Sequence, residues 1–436
     1  MKGERSTMIE TWAGTESGVG GTTWGTEKVW ANTRRPLPEA MGLAPGCYTD
    51  PDFHRLEQQR LFERGWVCVG LAADVVETGR LIVRRLGSRS IIITRGADGE
   101  VRGFLNACRH RGTELADKDC SVANTIRCPY HRWGYGLDGR LIATPLFELV
   151  PRVGFDKADY GLVPVRVEAW GVLLFACLDD QAPPLRTWLG DLPQRMAGYR
   201  LDEWVKREEQ TVEIKSNWKL ISENYQEYYH LKWVHPELAK VSRVPDHYRY
   251  QGPGMYCGQT TTPVSADERD DWLVLPPRPG LDSSDSTSGR FVAIFPNVLL
   301  SVLPNHVFVI RLDPTAPGAT TETCSFLLPP ESADVDEAAF APTRKFWLEV
   351  NAEDIDIVER GQRGLTMSAP PPGPLSPRFE EPLHRFHNML ADCMTLESAG
   401  TISIPAGDDG SEHDRWGTGV NPNPPLVDSQ PPGLDQ

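Results

Sequence analysis

Cys108-Arg109-His110-Arg111-Gly112 and Cys128-Pro129-Tyr130-His131-Arg132-Trp133-Gly134-Tyr135 are the two stretches on which the reading of this chain turns. Together they spell C-x-H-x17-C-x2-H. Each short pair supplies one thiolate and one imidazole. A [2Fe-2S] cluster with two thiolates on one iron and two imidazoles on the other needs that composition, and two hairpin loops can clamp it from both sides. Exchanging two thiolates for neutral imidazoles raises the reduction potential, so such a centre accepts electrons from a reductase and still passes them on to iron and O2. The competing reading is a structural Cys2His2 zinc site. There cysteines ordinarily pair with cysteines and histidines with histidines, and the mixed pairs here break that pattern. Cys120, inside the spacer, reads as a small buried side chain.

A second constellation lies downstream, in Asn217-Trp218-Lys219, Glu223-Asn224-Tyr225-Gln226-Glu227-Tyr228-Tyr229-His230 and His235-Pro236. Two histidines and a carboxylate on one face of Fe(II) form the facial triad of non-haem oxygenases, with the other face open to O2 and substrate. His230 and His235 are five residues apart, which on a regular helix turns them about 140° from each other. They converge only if the helix is distorted or ends between them, and Pro236 fits a helix end. The bland alternative is a pair of packing histidines. For the carboxylate, Glu353, Asp354 and Asp356 compete within residues 351–365. Val350, Ile357 and Val358 define an apolar side. Asp354, four after Val350 and four before Val358, faces inward with them, where a carboxylate needs a cation beside it. Asp354 is the first choice, and Glu353 and Asp356 are its rivals.

The two cluster stretches resemble the Rieske domain of the ring-hydroxylating oxygenases. The segment N-W-K, E-N, acid-x-x-His-x4-His resembles the mononuclear-iron segment of the same family, and the resemblance spans roughly residues 45 to 400. It implies that Cys108, His110, Cys128 and His131 hold the [2Fe-2S] cluster and that His230 and His235 bind mononuclear Fe(II). Asp354 with Glu359 five residues later matches the family's third-ligand helix. Glu227 falls where the family places a carboxylate bridge between an iron-ligand histidine and a cluster-ligand histidine of the neighbouring subunit. Many members carry Asp there, so Glu227 is a departure in length. Its alternative is a solvated helix carboxylate, and Glu223 is the nearby competitor. Thr113 and Tyr130 stand where respiratory-chain Rieske proteins have two extra cysteines, so the resemblance is to the lower-potential oxygenase type. The implied function is the terminal oxygenase component of a multicomponent system. It takes electrons from a separate NAD(P)H-dependent reductase, with or without a ferredoxin, uses O2, and works as a homotrimer.

The stretches Glu223 to His235, Phe295-Pro296-Asn297 with Pro304-Asn305-His306, and Glu353 to Leu365 resemble the branch acting on choline, glycine betaine and carnitine. The product implied is a hydroxylated or demethylated amine. A quaternary ammonium needs aromatic faces, and Tyr225, Tyr228, Tyr229 and Trp233 lie near the iron ligands, with core packing as their alternative. The other readings are an aromatic-ring dioxygenase, which a mostly apolar pocket would favour, and a non-catalytic Rieske electron carrier. The carrier needs only residues up to about 165 and has no use for His230, His235 and Asp354.

The 436 residues suggest two domains. Short β runs (Leu81 to Val83, Ser90 to Thr94, Val101 to Asn106) between Gly turns predict a small all-β domain over residues 46–164, with a short helix over Glu57 to Trp66. Residues 165–400 show a mixed pattern: a buried strand over Ala169 to Leu178, helices over Asn217 to His235 and Thr343 to Gly361, and two strands within Phe291 to Asp313. The fold class expected is α+β, an all-β cluster domain followed by a helix-grip catalytic domain with an antiparallel sheet. Residues 1–45 read as a flexible or wrapping arm, 264–290 as a surface loop, and 401–436 as a disordered tail. A net charge of −15 disfavours nucleic acid and anionic membranes as partners. Nine scattered cysteines do not form a disulfide scaffold, and neither a signal peptide nor an apolar span is visible, so a cytoplasmic protein is expected.

Overall fold

Short strands punctuated by Gly turns build the first half of the chain in this computed structural model, which describes residues 24–149, 152–242, 247–261, 275–397, 400–407 and 415–417. Residues 1–23 of the expected arm, 264–274 of the expected loop and most of the expected tail lie outside the described residues. The strands are β1 (Val67–Leu71), β2 (Arg80–Leu86), β3 (Arg89–Arg95), β4 (Val101–Leu105), β5 (Cys120–Ser121), β6 (Thr125–Arg127), β7 (Gly134–Gly136), β8 (Leu141–Ala143), β9 (Pro164–Trp170) and β10 (Leu173–Cys177). One antiparallel sheet runs β1-β10-β9-β4-β3-β2-β5, and β6-β7-β8 form a small separate sheet. The turn between β7 and β8 needs Gly139: its φ is +83° and a Cβ there would strike the Phe104 ring.

The stretch Ala169 to Leu178, expected in the second half, instead completes this first sheet. Val67 pairs with Ala176, and Val165 pairs with Gly103. All five residues of β10 are buried. A strand buried on both faces reads as a continuous apolar run, which says nothing about which sheet will take it.

The second sheet is antiparallel, in the order β11-β17-β16-β15-β14-β13-β12. Its strands are β11 (Val205–Ile214), β12 (His247–Tyr250), β13 (Tyr256–Thr261), β14 (Gly289–Ile294), β15 (Val298–Val302), β16 (Val307–Ala316) and β17 (Ala319–Leu328). Five helices matter for the site: α1 (Pro51–Glu57), α2 (Trp218–Gln226), α3 (Leu231–Val234), α4 (Glu337–Ser368) and α5 (Glu381–Thr395). Asp50 caps α1 and Asp336 caps α4 by accepting backbone N–H groups. Both helices therefore begin earlier than their apolar pattern suggests. The helices lie on the sheet through aromatic contacts: Phe386 of α5 meets Trp218 at 5.7 Å and Phe295 at 5.6 Å, and Trp347 of α4 stacks on Phe308 at 5.2 Å.

The two sheets share one continuous apolar core. Asn297 stitches them together: its Oδ1 accepts from Cys68 N, and its Nδ2 donates to Cys68 O and Leu312 O. Residues 24–45 are packed rather than free. Trp30 and Leu43 are buried, and Arg34 reaches Asp392 of α5 at 2.5 Å. In the C-terminal stretch, Ile402 and Trp416 are likewise buried, and Arg415 pairs with Asp282 and Asp285. Polar composition suggested a free arm and tail, but a few large apolar anchors hold the described parts of them, residues 24–45, 400–407 and 415–417. Among the described residues no helix is long and apolar enough to cross a membrane.

Candidate metal centres

The first centre is built from two loops of the same design. Cys108 N donates to Thr113 O and Gly112 N to Cys108 O; in the second loop Cys128 N donates to Trp133 O and Arg132 N to Cys128 O. In each loop the residue four after the cysteine has a left-handed backbone, Gly112 at φ +71° and Arg132 at +60°. That turn curls the chain so that each loop offers a thiol and an imidazole to the same space. Tyr135 accepts from Arg109 N and so has its own O–H free for Cys108 Sγ, 3.2 Å away. Burial raises the pKa of Cys108 and the facing Cys128 adds to it, against the lowering by Tyr135. His110 is held below the ordinary histidine value by burial and by the facing His131 and Arg111. A neutral imidazole is the form that binds metal.

The imidazoles of His110 and His131 sit side by side, 4.8 Å between centroids, with His110 stacked on Trp133 and His131 on Tyr130. No three of the four ligand side chains come close enough to share a single ion. Among the described residues only His230, His235 and Asp354 do so, with their ligand atoms all within 4.8 Å of one another. A tetrahedral zinc would need all four atoms around one point. A cluster with two irons needs them spread over two, and the residues fit it.

The second centre forms where a helix fails. Asn217 caps α2 by accepting from Lys219 N, but α2 ends at Gln226, and Glu227 is extended (φ −124°, ψ 162°). His230 then starts the four-residue α3 and His235 ends it. His235 itself has left the helical conformation (φ −119°, ψ 71°), and this end of the helix is what lets two histidines five residues apart converge. His235 Nε2 lies 2.9 Å and His230 Nε2 3.6 Å from the same Asp354 Oδ1.

The opposite nitrogen of each ring is held by a glutamate. Glu227 Oε1 is 2.5 Å from His230 Nδ1, and Glu353 Oε2 is 2.7 Å from His235 Nδ1. A carboxylate on the far nitrogen fixes the tautomer and aims the near nitrogen at a metal. Burial works against a charge on His235, but the bonds to Asp354 and then Glu353 outweigh it and hold its pKa above the usual value. A metal binds the neutral imidazole, so metal binding would compete with protonation here.

Of the rivals for the third place, Glu353 is thus an orienting group, and Asp356 points away to Arg360. Glu359 accepts from Lys215 N, and Glu223 from Tyr48 and His387. Glu353→Ala should weaken iron binding by about 10- to 100-fold, read by competition with a chelator; unchanged affinity would mean that its contact does not orient His235.

Trp347, Val350, Asn351 and Asp354 recur at i, i+3, i+4 and i+7 on α4 and present one face to a cavity that also meets His230 and His235. Tyr225, Tyr228, Phe291 and Phe308 line it too, with Asn224, Gln259, Thr261 and Ser301 as polar groups. Its volume is about 90 Å³. Of the aromatic residues singled out from sequence, Tyr225 and Tyr228 line it, whereas Tyr229 and Trp233 are 55% and 65% exposed. Phe291, Phe308 and Trp347 were not foreseen: strand pairing and a helix more than a hundred residues further on bring them in.

Two family models match the chain in tandem: the Rieske [2Fe-2S] domain over residues 65–153 and the ring-hydroxylating alpha subunit (catalytic domain) over 201–396. The chain belongs to the ring-hydroxylating oxygenase family. As a Rieske oxygenase it carries a Rieske [2Fe-2S] cluster and a mononuclear iron, and the electron-carrier reading falls away. This oxygenase is 29% identical over 385 residues to the glycine betaine monooxygenase oxygenase subunit of Chromohalobacter salexigens, covering 80% of this chain and 84% of that one. It is 33% identical over 192 residues to the biphenyl 2,3-dioxygenase subunit alpha of Rhodococcus jostii, covering 42% of this chain and 40% of that one. Its fold matches that of the quaternary ammonium Rieske monooxygenase CntA with a TM-score of 0.71 at 24% identity, over 85% of this chain and 98% of that one.

Proposed function

We propose that this oxygenase oxidises a small quaternary amine, hydroxylating or demethylating it with O2 and electrons from a separate NAD(P)H-dependent reductase, with or without a ferredoxin. The observation that carries the reading is the cavity itself: aromatic faces, carboxylates and a three-ligand iron site meet in one small space. Aromatic faces attract a cation, and the lining also holds the Glu227 and Asp354 carboxylates. The similarity to a glycine betaine enzyme along most of both chains points the same way.

In this reading Cys108, His110, Cys128 and His131 hold the cluster, and His230, His235 and Asp354 hold the iron. Bound there, the two metals supply one-electron transfer and O2 activation. The chain's own residues do the rest. Glu353 and Glu227 fix the imidazoles, and the cavity wall orients the substrate. Glu227 serves as the bridge toward a neighbouring subunit's cluster. Its Oε2 also accepts from the backbone of Tyr229 and His230, which pins the carboxylate at the loop. The exposed Tyr130, stacked on His131, suits docking against a second copy, in a homotrimer.

The test is a turnover screen of the full chain with a Rieske-type reductase, NAD(P)H and O2. Choline, glycine betaine and carnitine are set against naphthalene and biphenyl. An onium compound should stimulate O2 uptake and yield a hydroxylated product, or formaldehyde where a methyl group is lost. Oxidation of the hydrocarbons alone would transfer the assignment to aromatic-ring dioxygenation.

A further inference from the structure

The stretch Pro304-Asn305-His306 lies in the turn between β15 and β16, away from both sets of metal ligands. His306 and Asn305 are nevertheless fully buried, and their hydrogen bonds run in one direction. Asn305 Nδ2 donates to Leu275 O at 2.7 Å. Asn305 Oδ1 can only accept, so the His306 nitrogen 2.7 Å from it, Nδ1, carries the proton. His306 Nε2 is then the acceptor for Trp347 Nε1–H at 2.6 Å. Burial holds the His306 pKa down at about 3, so the ring stays neutral and the tautomer does not change with pH in the working range.

The end of this relay is an indole that lines the cavity two helical turns before Asp354 on the same face of α4. Trp347 is packed by Phe308 in a stacked arrangement, by Phe346 edge-on at 5.4 Å and by Phe291 at 6.3 Å. A ring held at its N–H and by three phenyl groups loses little further freedom when a ligand settles against it. Indole is also the aromatic surface that attracts cations best.

The geometry points to Trp347 as the residue that selects a trimethylammonium group in this cavity, with His306 and Asn305 as positioning residues that hold it. The inference rests on the quaternary-amine reading above. It adds that discrimination between a trimethylammonium group and its carbon isostere comes chiefly from this aromatic wall, the carboxylates being engaged with the histidines.

The experiment compares each onium compound with its carbon isostere, choline with 3,3-dimethylbutanol and glycine betaine with 3,3-dimethylbutanoate. Binding to the iron-loaded full chain is measured by calorimetry, alongside turnover. The wild type should prefer at least one onium compound to its isostere. Trp347→Leu should lower affinity for that compound by about ten- to thirtyfold while leaving the isostere nearly unaffected. Trp347→Phe, which keeps an aromatic face, should fall between. His306→Leu should raise KM with kcat little changed, and His306→Gln, whose carbonyl can still accept from the indole, should restore it. An equal loss for onium compound and isostere in Trp347→Leu would overturn the inference and leave the substrate reading standing. Failure of the wild type to bind any onium compound would overturn both.

Discussion

The His230→Ala protein retains its cluster and loses its mononuclear iron: iron falls from about three to about two per chain, with sulfide unchanged at about two. The visible and electron-spin spectra of the cluster should not move, and turnover should disappear. The argument is geometric. Asp354 Oδ1 is the common point for His235 Nε2 at 2.9 Å and His230 Nε2 at 3.6 Å. Removing His230 leaves one imidazole and one carboxylate, too few for a facial site. It also leaves Glu227 without its imidazole. The cluster loops depend on their own backbone bonds and on Tyr135, none of which involves residue 230. The measurement is anaerobic iron and sulfide analysis of both proteins. About two irons in the wild type as well would remove the second centre, and loss of both metals in the variant would mean that the substitution had disrupted the fold.

Glu57→Ala should destabilise the protein by about 3–5 kcal/mol, because it leaves a buried ammonium without its counter-ion. Lys219 and Glu57 are completely buried and 2.7 Å apart. Glu57 Oε2 also accepts from Trp218 Nε1 at 2.9 Å, and the Lys219 ammonium sits about 5 Å from the Phe53 and Trp218 rings. The pair therefore ties α1 to the first turn of α2, the helix whose end creates the iron loop. Equilibrium denaturation with urea reads the loss. The double variant Glu57→Leu with Lys219→Met should recover much of it, since replacing both members of a buried pair with apolar groups of similar size is often neutral. A loss below about 1 kcal/mol in the single variant, the scale of an exposed ion pair, would show that water reaches the pair.

These two cases also mark what the sequence could reveal. The Rieske domain was legible because its candidate ligands are close together in the chain and their types are mixed in a way that few other structures use. The candidate iron histidines were legible as a pair, and the helix end that their spacing needs was signalled by Pro236; the earlier break at Glu227 is a backbone property that no residue type announced. Asp354 could be read from the apolar face of α4. Glu353 could not, because a neighbouring acid on the edge of the same face looks like a rival ligand until the other nitrogen of His235 is seen to need a partner. Glu57 and Lys219 were illegible for a different reason. Charged residues are expected in water, and only packing reveals that two of them are enclosed. The aromatic wall was missed because Phe291, Phe308 and Trp347 are scattered in sequence and are assembled by β-sheet register.

The face of α4 that carries Trp347, Val350, Asn351 and Asp354 has a mechanical consequence. The helix is 32 residues long, and further along it Gln362 accepts from Asn217 N at the start of α2. Wall, candidate third ligand and the anchor of the histidine-bearing segment are thus mounted on one stiff rod about 48 Å in length. A substrate that presses on the indole does not need a relay to be felt at the metal. Any shift or roll of the rod moves Trp347 and the Asp354 carboxylate together, so the aromatic wall and the carboxylate that would hold the iron keep one spacing.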